Sequence, residues 1–188
     1  MRVVVFGATG TIGRALLPVL EGDHEVVAVS RRPEHASANG VKWVRADATD
    51  ADSVRVALAG ADVAYYLVHS LGSSDFEERD RIAAETVACE AAAAGLRQIV
   101  YLGGLGDDAP DLSPHLRSRI ETGRALASGS VPVTTLRAAM IVGPGSAAFE
   151  TILALVDRLP AMICPRWVST PTQPIAIDDA VAYLAAVC

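Results

Sequence analysis

Two rhythms of apolar and polar positions alternate along this chain. Short runs rich in apolar and β-branched residues stand at Val3–Phe6, Glu25–Val29, Lys42–Arg45, Ala61–Val68, Gln98–Leu102 and Pro132–Arg137. Nearly unbroken apolar runs of this length predict strands covered on both faces. Between them the period lengthens to that of a helix. One helix opens after Gly10 and runs to about Glu21, with Gly22 as its C-terminal cap and Pro18 as a local blemish that removes one backbone donor. A second runs from an Asp50 cap to about Ala59. A third is long: Phe76, Ala83, Val87 and Ala91 share its inner face, Glu77, Glu78, Asp80 and Arg81 read as its solvated face, and Gly95 stops it. A fourth spans about Ser113 to Ala127. Strand and helix in regular alternation predict an α/β fold, a doubly wound parallel sheet. Ligands of such sheets lie at the carboxyl ends of the strands, so the loops after residues 6, 29, 45, 67, 102 and 137 are expected to form the site.

The first turn carries the sharpest chemistry. Val3–Phe6 leads directly into Gly7-Ala8-Thr9-Gly10-Thr11-Ile12-Gly13. Gly7 suits the tight turn out of the strand, Gly10 lets a pyrophosphate approach the backbone, and Gly13 lets the helix pack closely. The unpaired N–H groups and positive dipole end of the new helix then favour an anion, and a dinucleotide is the expected occupant. The second strand ends in Ser30-Arg31-Arg32. An acidic residue about 20 positions beyond the glycine turn suits NAD, whereas arginine there can pair with a 2′-phosphate, so Arg31 and Arg32 favour NADP. Glu34 competes at nearly the right distance, with Pro33 turning the chain before it. Asp47, after the third strand, suits either an adenine amino group or a plain turn.

The remaining chain adds a small lobe at about residues 143–188: a helix near Ala147–Leu159, the proline-broken stretch Pro165–Pro174 with Trp167 as a candidate either to line a substrate pocket or to cover the cofactor, and a last helix capped by Asp178 that stops at Cys188. A helix ending in mid-pattern predicts that part of this lobe is missing, the whole being one domain over 1–188. With 188 residues, 51% hydrophobic and 20% charged, the chain can bury one substantial core. Sixteen basic against 22 acidic residues, a net charge of −6, give no general attraction for nucleic acid or an anionic membrane. No apolar run approaches a membrane span, and a cytosolic location is expected. Cys89, Cys164 and Cys188 have no metal-ligand or CxxC spacing and read as reduced, mostly buried thiols, and no metal is expected. Tyr65, Tyr66 and Tyr101 read as packing. Nothing in the sequence identifies the oligomeric state or an interface.

Several of these segments together resemble the atypical short-chain dehydrogenase/reductase superfamily, whose fold is Rossmann-like: the glycine turn, Ser30-Arg31-Arg32, Ala46-Asp47, Tyr65–Gly72, Ile99–Gly106 and Val133–Gly145. Tyr66-Leu67-Val68-His69-Ser70, Tyr101–Gly106, Ser113–Arg119 and Pro171–Ile177 look like an NmrA-like, YbjT-type branch, similar to the NADPH-holding accessory subunit of respiratory complex I. The expected cofactor set is therefore Gly7, Thr9, Gly10, Thr11, Ile12, Gly13, Arg31, Arg32, Asp47, Ala48, Leu67, His69 and Arg119, holding NADP(H) in preference to NAD(H). The resemblance also implies a Ser at the end of the fifth strand and a Tyr-x-x-x-Lys pair on the next helix. Here the strand ends in Gly103-Gly104, and His115 and Arg119 stand where Tyr and Lys would fall. His115 is a candidate proton donor and Arg119, one turn on, a candidate ribose or phosphate contact, although an arginine beside it disfavours the imidazolium. His69, at the cleft rim, is a further candidate, alongside the plainer reading of a loop histidine bonded to backbone.

Two readings stay open. One is a noncanonical NADP-dependent oxidoreductase acting on a small substrate; the other is a cofactor-binding module without turnover, a redox sensor or an assembly partner.

Overall fold

The computed structural model describes residues 1–32, 41–69, 75–106, 112–158 and 171–188. Pro33, Glu34, Ser70, Gly72, Cys164 and Trp167 lie outside them. Six parallel strands form one sheet: β1 (Arg2–Phe6), β2 (Glu25–Ser30), β3 (Lys42–Arg45), β4 (Val63–Tyr66), β5 (Gln98–Gly104) and β6 (Val133–Ala138). Their order is β3-β2-β1-β4-β5-β6, the doubly wound Rossmann arrangement in which the winding reverses between β1 and β4. The register Phe6↔Val29 and Phe6↔Tyr66 brings the ends of β2 and β4 level with the glycine turn on either side of it.

Alternation along β1 divides the core into two layers. Val4 and Phe6 face one cluster with Val27, Val29, Tyr66, Ile99 and Tyr101. It is covered by α2 (Ala51–Leu58), α3 (Phe76–Ala93) and α4 (Pro114–Ala127). Val3 and Val5 face the other, with Leu16, Leu17 and Leu20 of α1 (Thr11–Leu20) and Val181 and Leu184 of α6 (Ile177–Ala186). Tyr65 enters this second layer, and its hydroxyl donates to the Leu184 carbonyl at 2.8 Å. All three tyrosines expected to be packing are buried to 1% or less.

Local chemistry sets the helix ends. Asp50 caps α2 by accepting from the Ser53 N–H, Ser113 caps α4 by accepting from the Leu116 N–H, and Gly95 after α3 takes φ +72°. Other ends differ from expectation. Helix α1 stops at Leu20 with Glu21 as its right-handed C-cap, and Gly22 does not adopt positive φ. Pro18 lies on the exposed side of α1, which continues past it. Asp178 does not cap α6; the N-cap is Ala176 and Asp178 sits in the first turn, where its charge still suits the helix dipole. That helix ends at Ala186 rather than running on to Cys188. Strand β4 is shorter than its apolar run, because residues beyond Tyr66 leave the ladder for the cleft. A second, two-stranded parallel sheet pairs β7 (Ile141–Val142) with β8 (Ile175–Ala176); two residues per strand leave no period to read. Helix α5 spans Ala147–Arg158. Cys89 is exposed and Cys188 half-buried, against the expectation of burial. Among the described residues no helix is long and apolar enough to cross a membrane.

Candidate dinucleotide site

A cleft of about 710 Å³ opens where the winding reverses. The end of β1 and its turn contribute Phe6, Gly7, Thr9, Gly10 and Thr11, and β2 contributes Val29, Ser30 and Arg31. Ala46–Thr49 follow β3, Leu67–His69 follow β4, and Arg79 and Ala83 come from α3. No described residue of the strand-end loops after residues 102 and 137 is among those that line it. These loops border a second cavity of about 340 Å³, between α4 and the β5–β6 edge, lined among others by Gly104, Arg119 and Arg137.

The turn is built around absent side chains. Gly7 has φ +83°, and a Cβ there would stand 2.7 Å from the Leu67 backbone. A Cβ on Gly13 would stand 2.4 Å from the Gly7 carbonyl oxygen, so α1 closes onto the turn as tightly as backbone permits. Gly10 is the N-cap of α1 and supplies no side-chain acceptor, leaving the first-turn N–H groups uncapped by it. A Cβ on Gly10 would meet only the Gly7 oxygen, at 3.3 Å. Such a cradle fits a pyrophosphate at the start of α1. Thr11 donates its hydroxyl hydrogen to the Gly145 carbonyl, which ties the segment after β7 to the cleft mouth at 2.7 Å.

At the adenosine end, Arg31 lines the cleft while Arg32 is exposed, outside the lining, with its N–H on Ser30 Oγ. The Asp47 carboxylate accepts from the Thr49 N–H and hydroxyl, at 3.0 and 2.9 Å. Partial burial works against its charge, but those hydrogen bonds and the fields of Arg31 and Arg79 outweigh it and hold the carboxyl below its ordinary value. Asp47 is thus a turn residue and a cleft wall at once. Ala48 and Leu67 also line the cleft, whereas Ile12 and Gly13 pack behind it and do not.

At the other end, His69 lines the cleft with its ring beside α3 and α4. His69 Nδ1 lies 3.3 Å from Asp80 Oδ2, and the Ser118 hydroxyl donates to the same oxygen at 3.3 Å. Asp80 is 3% exposed, which corrects its assignment to a solvated face. The signal was available: Asp80 falls on the stripe Phe76, Ala83, Val87, Ala91 at helical spacing, so a carboxylate there has to be buried with partners. His69 Nε2 is buried and has no hydrogen-bond partner among the described residues. His115 is an exposed residue outside the cleft lining, its ring 4.7 Å from that of His69. Its pKa is lowered by burial first, then by His69 and Arg119, with Asp80 opposing. Arg119 does not reach the cleft. Its guanidinium lies over the Tyr101 ring and donates to the Leu102 carbonyl, while the Leu116 side chain packs against Gly104 at the strand end. Arg79 was not foreseen either, because a lone arginine near a helix start carries no pattern. Among the described residues no group of three His, Cys, Asp or Glu is placed to hold a metal ion.

Comparison with known proteins bears on the family and the fold. A (4-alkanoyl-5-oxo-2,5-dihydrofuran-3-yl)methyl phosphate reductase of Streptomyces griseus is 30% identical over 174 residues, 87% of this chain and 59% of that protein. An uncharacterised Mycobacterium tuberculosis protein is 30% identical over 181 residues, 96% of this chain but 19% of its own length. The chain therefore spans only part of both relatives. In fold it is similar to Citrobacter sp. triphenylmethane reductase complexed with NADP(H), with a TM-score of 0.81, 21% identity, and coverage of 100% of this chain and 65% of that one. It is also similar to the Bordetella bronchiseptica enzyme WbmH in complex with NAD+, with a TM-score of 0.75, 15% identity, and coverage of 98% and 71%. Residues 7–139, from the glycine turn to the end of β6, match the NAD(P)H-binding family, and the chain belongs to it, with the Rossmann fold of the atypical short-chain dehydrogenase/reductase class that its motifs resemble.

Proposed function

We propose that this chain binds NADP(H) in preference to NAD(H) and is the cofactor domain of a noncanonical reductase acting on a small organic substrate. The observation that carries the preference is the described end of β2: Ser30, Arg31 and Arg32, with Arg31 in the cleft wall and no carboxylate among them. Arg79, on α3, adds a second cation to the same wall. A 2′-phosphate is the group such a corner would recognise, by charge-assisted hydrogen bonds from Arg31. Gly7, Thr9, Gly10 and Thr11 would hold the pyrophosphate, and Leu67 and His69 would border the nicotinamide half. When bound, the reduced nicotinamide supplies a hydride; the residues around it orient substrate, exclude water and handle a proton. The reductase names of the Streptomyces and Citrobacter relatives support the class of reaction.

A titration with NADPH and NADH, followed by nicotinamide fluorescence, tests the preference. An Arg31→Ala variant should weaken NADPH by about 10- to 150-fold, the worth of a hydrogen bond to a charged group, and leave NADH nearly unchanged. Equal affinity of the wild type for both would overturn it.

One observation favours a second reading, a cofactor-holding module without turnover. Gly103-Gly104 offers no hydroxyl to orient a carbonyl, and Arg119 turns to the Leu102 carbonyl and Tyr101 ring instead of the cleft. NADPH binding without substrate-dependent loss of its absorbance across a panel of aldehydes, ketones and unsaturated lactones would select that reading.

A further inference from the structure

The proposed reductase reading leaves one proton without a donor, because the strand end and helix positions that would supply it carry Gly103, Gly104, His115 and Arg119. The cleft holds a different arrangement. His69 stands at the end of β4, on the side of the winding reversal away from the adenosine corner at Arg31, and lines the cleft. Asp80, 4% exposed at its side chain, meets Nδ1 at 3.3 Å, and Ser118 donates to the same carboxylate oxygen from α4. Nδ1 and Nε2 occupy opposite sides of the ring, so a proton held at Nδ1 by the carboxylate leaves Nε2 as the exchanging nitrogen. Of the two ring nitrogens, Nε2 is the one without a hydrogen-bond partner among the described residues. His115 packs on the ring at 4.7 Å. It limits the ring's freedom without itself reaching the cleft.

We propose that His69 is the proton-transferring residue of this site and Asp80 its positioning residue, anchored by Ser118 and covered by His115. This rests on the reductase reading. As a carbon centre of the substrate accepts the hydride, its electron pair moves to the attached oxygen or conjugated acceptor, which takes the proton from His69 Nε2. The imidazole is left neutral with Nδ1–H still on Asp80, and water that enters the cleft as product leaves returns a proton to Nε2. The arrangement suits substrates whose accepting atom is a carbonyl oxygen or an enone-type system.

The chain has four histidines, so ¹⁵N-histidine labelling gives a spectrum that single His→Gln variants can assign. In the cofactor-free wild type near neutral pH, neutral His69 should be the Nδ1–H form, with Nδ1 pyrrole-like and Nε2 pyridine-like. Asp80→Ala should shift it to the Nε2–H form common for free histidine, while Asp80→Glu should restore the wild-type pattern and Ser118→Ala should keep it. A side chain that merely fills space would not move the tautomer. Wild-type His69 as Nε2–H overturns the proposal even where the buried Asp80 variants fail to fold. Adding NADPH should shift the His69 resonances and leave those of His24, just before β2 at the end of the sheet opposite the cleft, in place. NADPH that binds by fluorescence without moving His69 also overturns it. Absence of NADPH binding with the Nδ1–H form intact refutes the reductase reading instead, and with it the transfer role, while the Asp80–His69 geometry stands.

Discussion

Gly10→Ala and Gly13→Ala separate the site from the fold within one turn. Gly10 has φ −72° and ψ 168°, extended backbone open to any L-residue, and its added Cβ would meet only the Gly7 oxygen at 3.3 Å. Folding should therefore change by less than about 1 kcal/mol. The rest of that space belongs to the cleft, so the methyl group should stand between the backbone and the pyrophosphate. An overpacking cost of about 1–3 kcal/mol there corresponds to about a 5- to 150-fold loss of NADPH affinity. Gly13 is the reverse case. Alanine in a helix interior is favoured over glycine by about 1 kcal/mol, but the Cβ would be forced to 2.4 Å from the Gly7 oxygen and 2.7 Å from the Ala8 Cα, both backbone. Backbone cannot rotate away as a side chain can, so the clash should reach the upper end of about 2–3 kcal/mol and leave about 1–2 kcal/mol net destabilisation. At about 2–4 °C per kcal/mol for a chain of this size, Tm should fall by about 2–8 °C. Thermal unfolding and NADPH fluorescence titration of both variants provide the assay. A Gly10→Ala protein that binds NADPH within about twofold of wild type would refute the placement of the pyrophosphate.

Other consequences are open to measurement. Tyr65→Phe removes the donor to the Leu184 carbonyl at 2.8 Å and should lower stability by about 1–2 kcal/mol, whereas Tyr66→Phe, whose hydroxyl has no partner among the described residues, should be neutral or stabilising. Paired denaturant melts compare them; equal losses would contradict this hydrogen-bond assignment. His115 titrates below its ordinary 6.5 in the fold, so between the two values the unfolded chain binds more protons and stability rises with pH. Its contribution is complete above the unfolded pKa and is lost as pH falls through the folded one. Tm followed from about pH 8 to about pH 5 should drop less steeply in His115→Gln than in wild type; an identical slope would remove His115 as its source.

Much of this molecule follows from local rules that its sequence states openly. A run such as Val3-Val4-Val5-Phe6 has no polar face, so it has to lie inside a sheet covered on both sides, and alternating strands and helices leave few ways to wind it. Gly7 and Gly13 mark the turn because backbone at close quarters tolerates no side chain there, and Gly10 marks it because a pyrophosphate needs that approach to the backbone. Asp50 is visible as a cap and Ser113 as a helix start, since capping needs only contacts three residues away. Asp178 offered the same cue and was misread, because Ala176 precedes it with the extended backbone that opens the helix.

The site divides along the same line. Gly7, Thr9, Gly10, Thr11 and Arg31 reach the cleft through the loops in which the chain order already places them. Asp80, Ser118 and His69 are separated by up to 49 residues of chain and meet only because α3 and α4 pack side by side over β4 and β5. Arg119 shows the opposite outcome: spacing aligned it with His115 on one helix face, yet its guanidinium turns to the Leu102 carbonyl and the Tyr101 ring. By itself the sequence determined the strands and helices of the six-stranded layer, their winding and the glycine turn, all set by interactions within a few residues or by burial on a periodic face. Only the tertiary structure decided which charged side chains face the cleft and which face each other, because a long side chain's direction is set by the packing of helices distant in the chain.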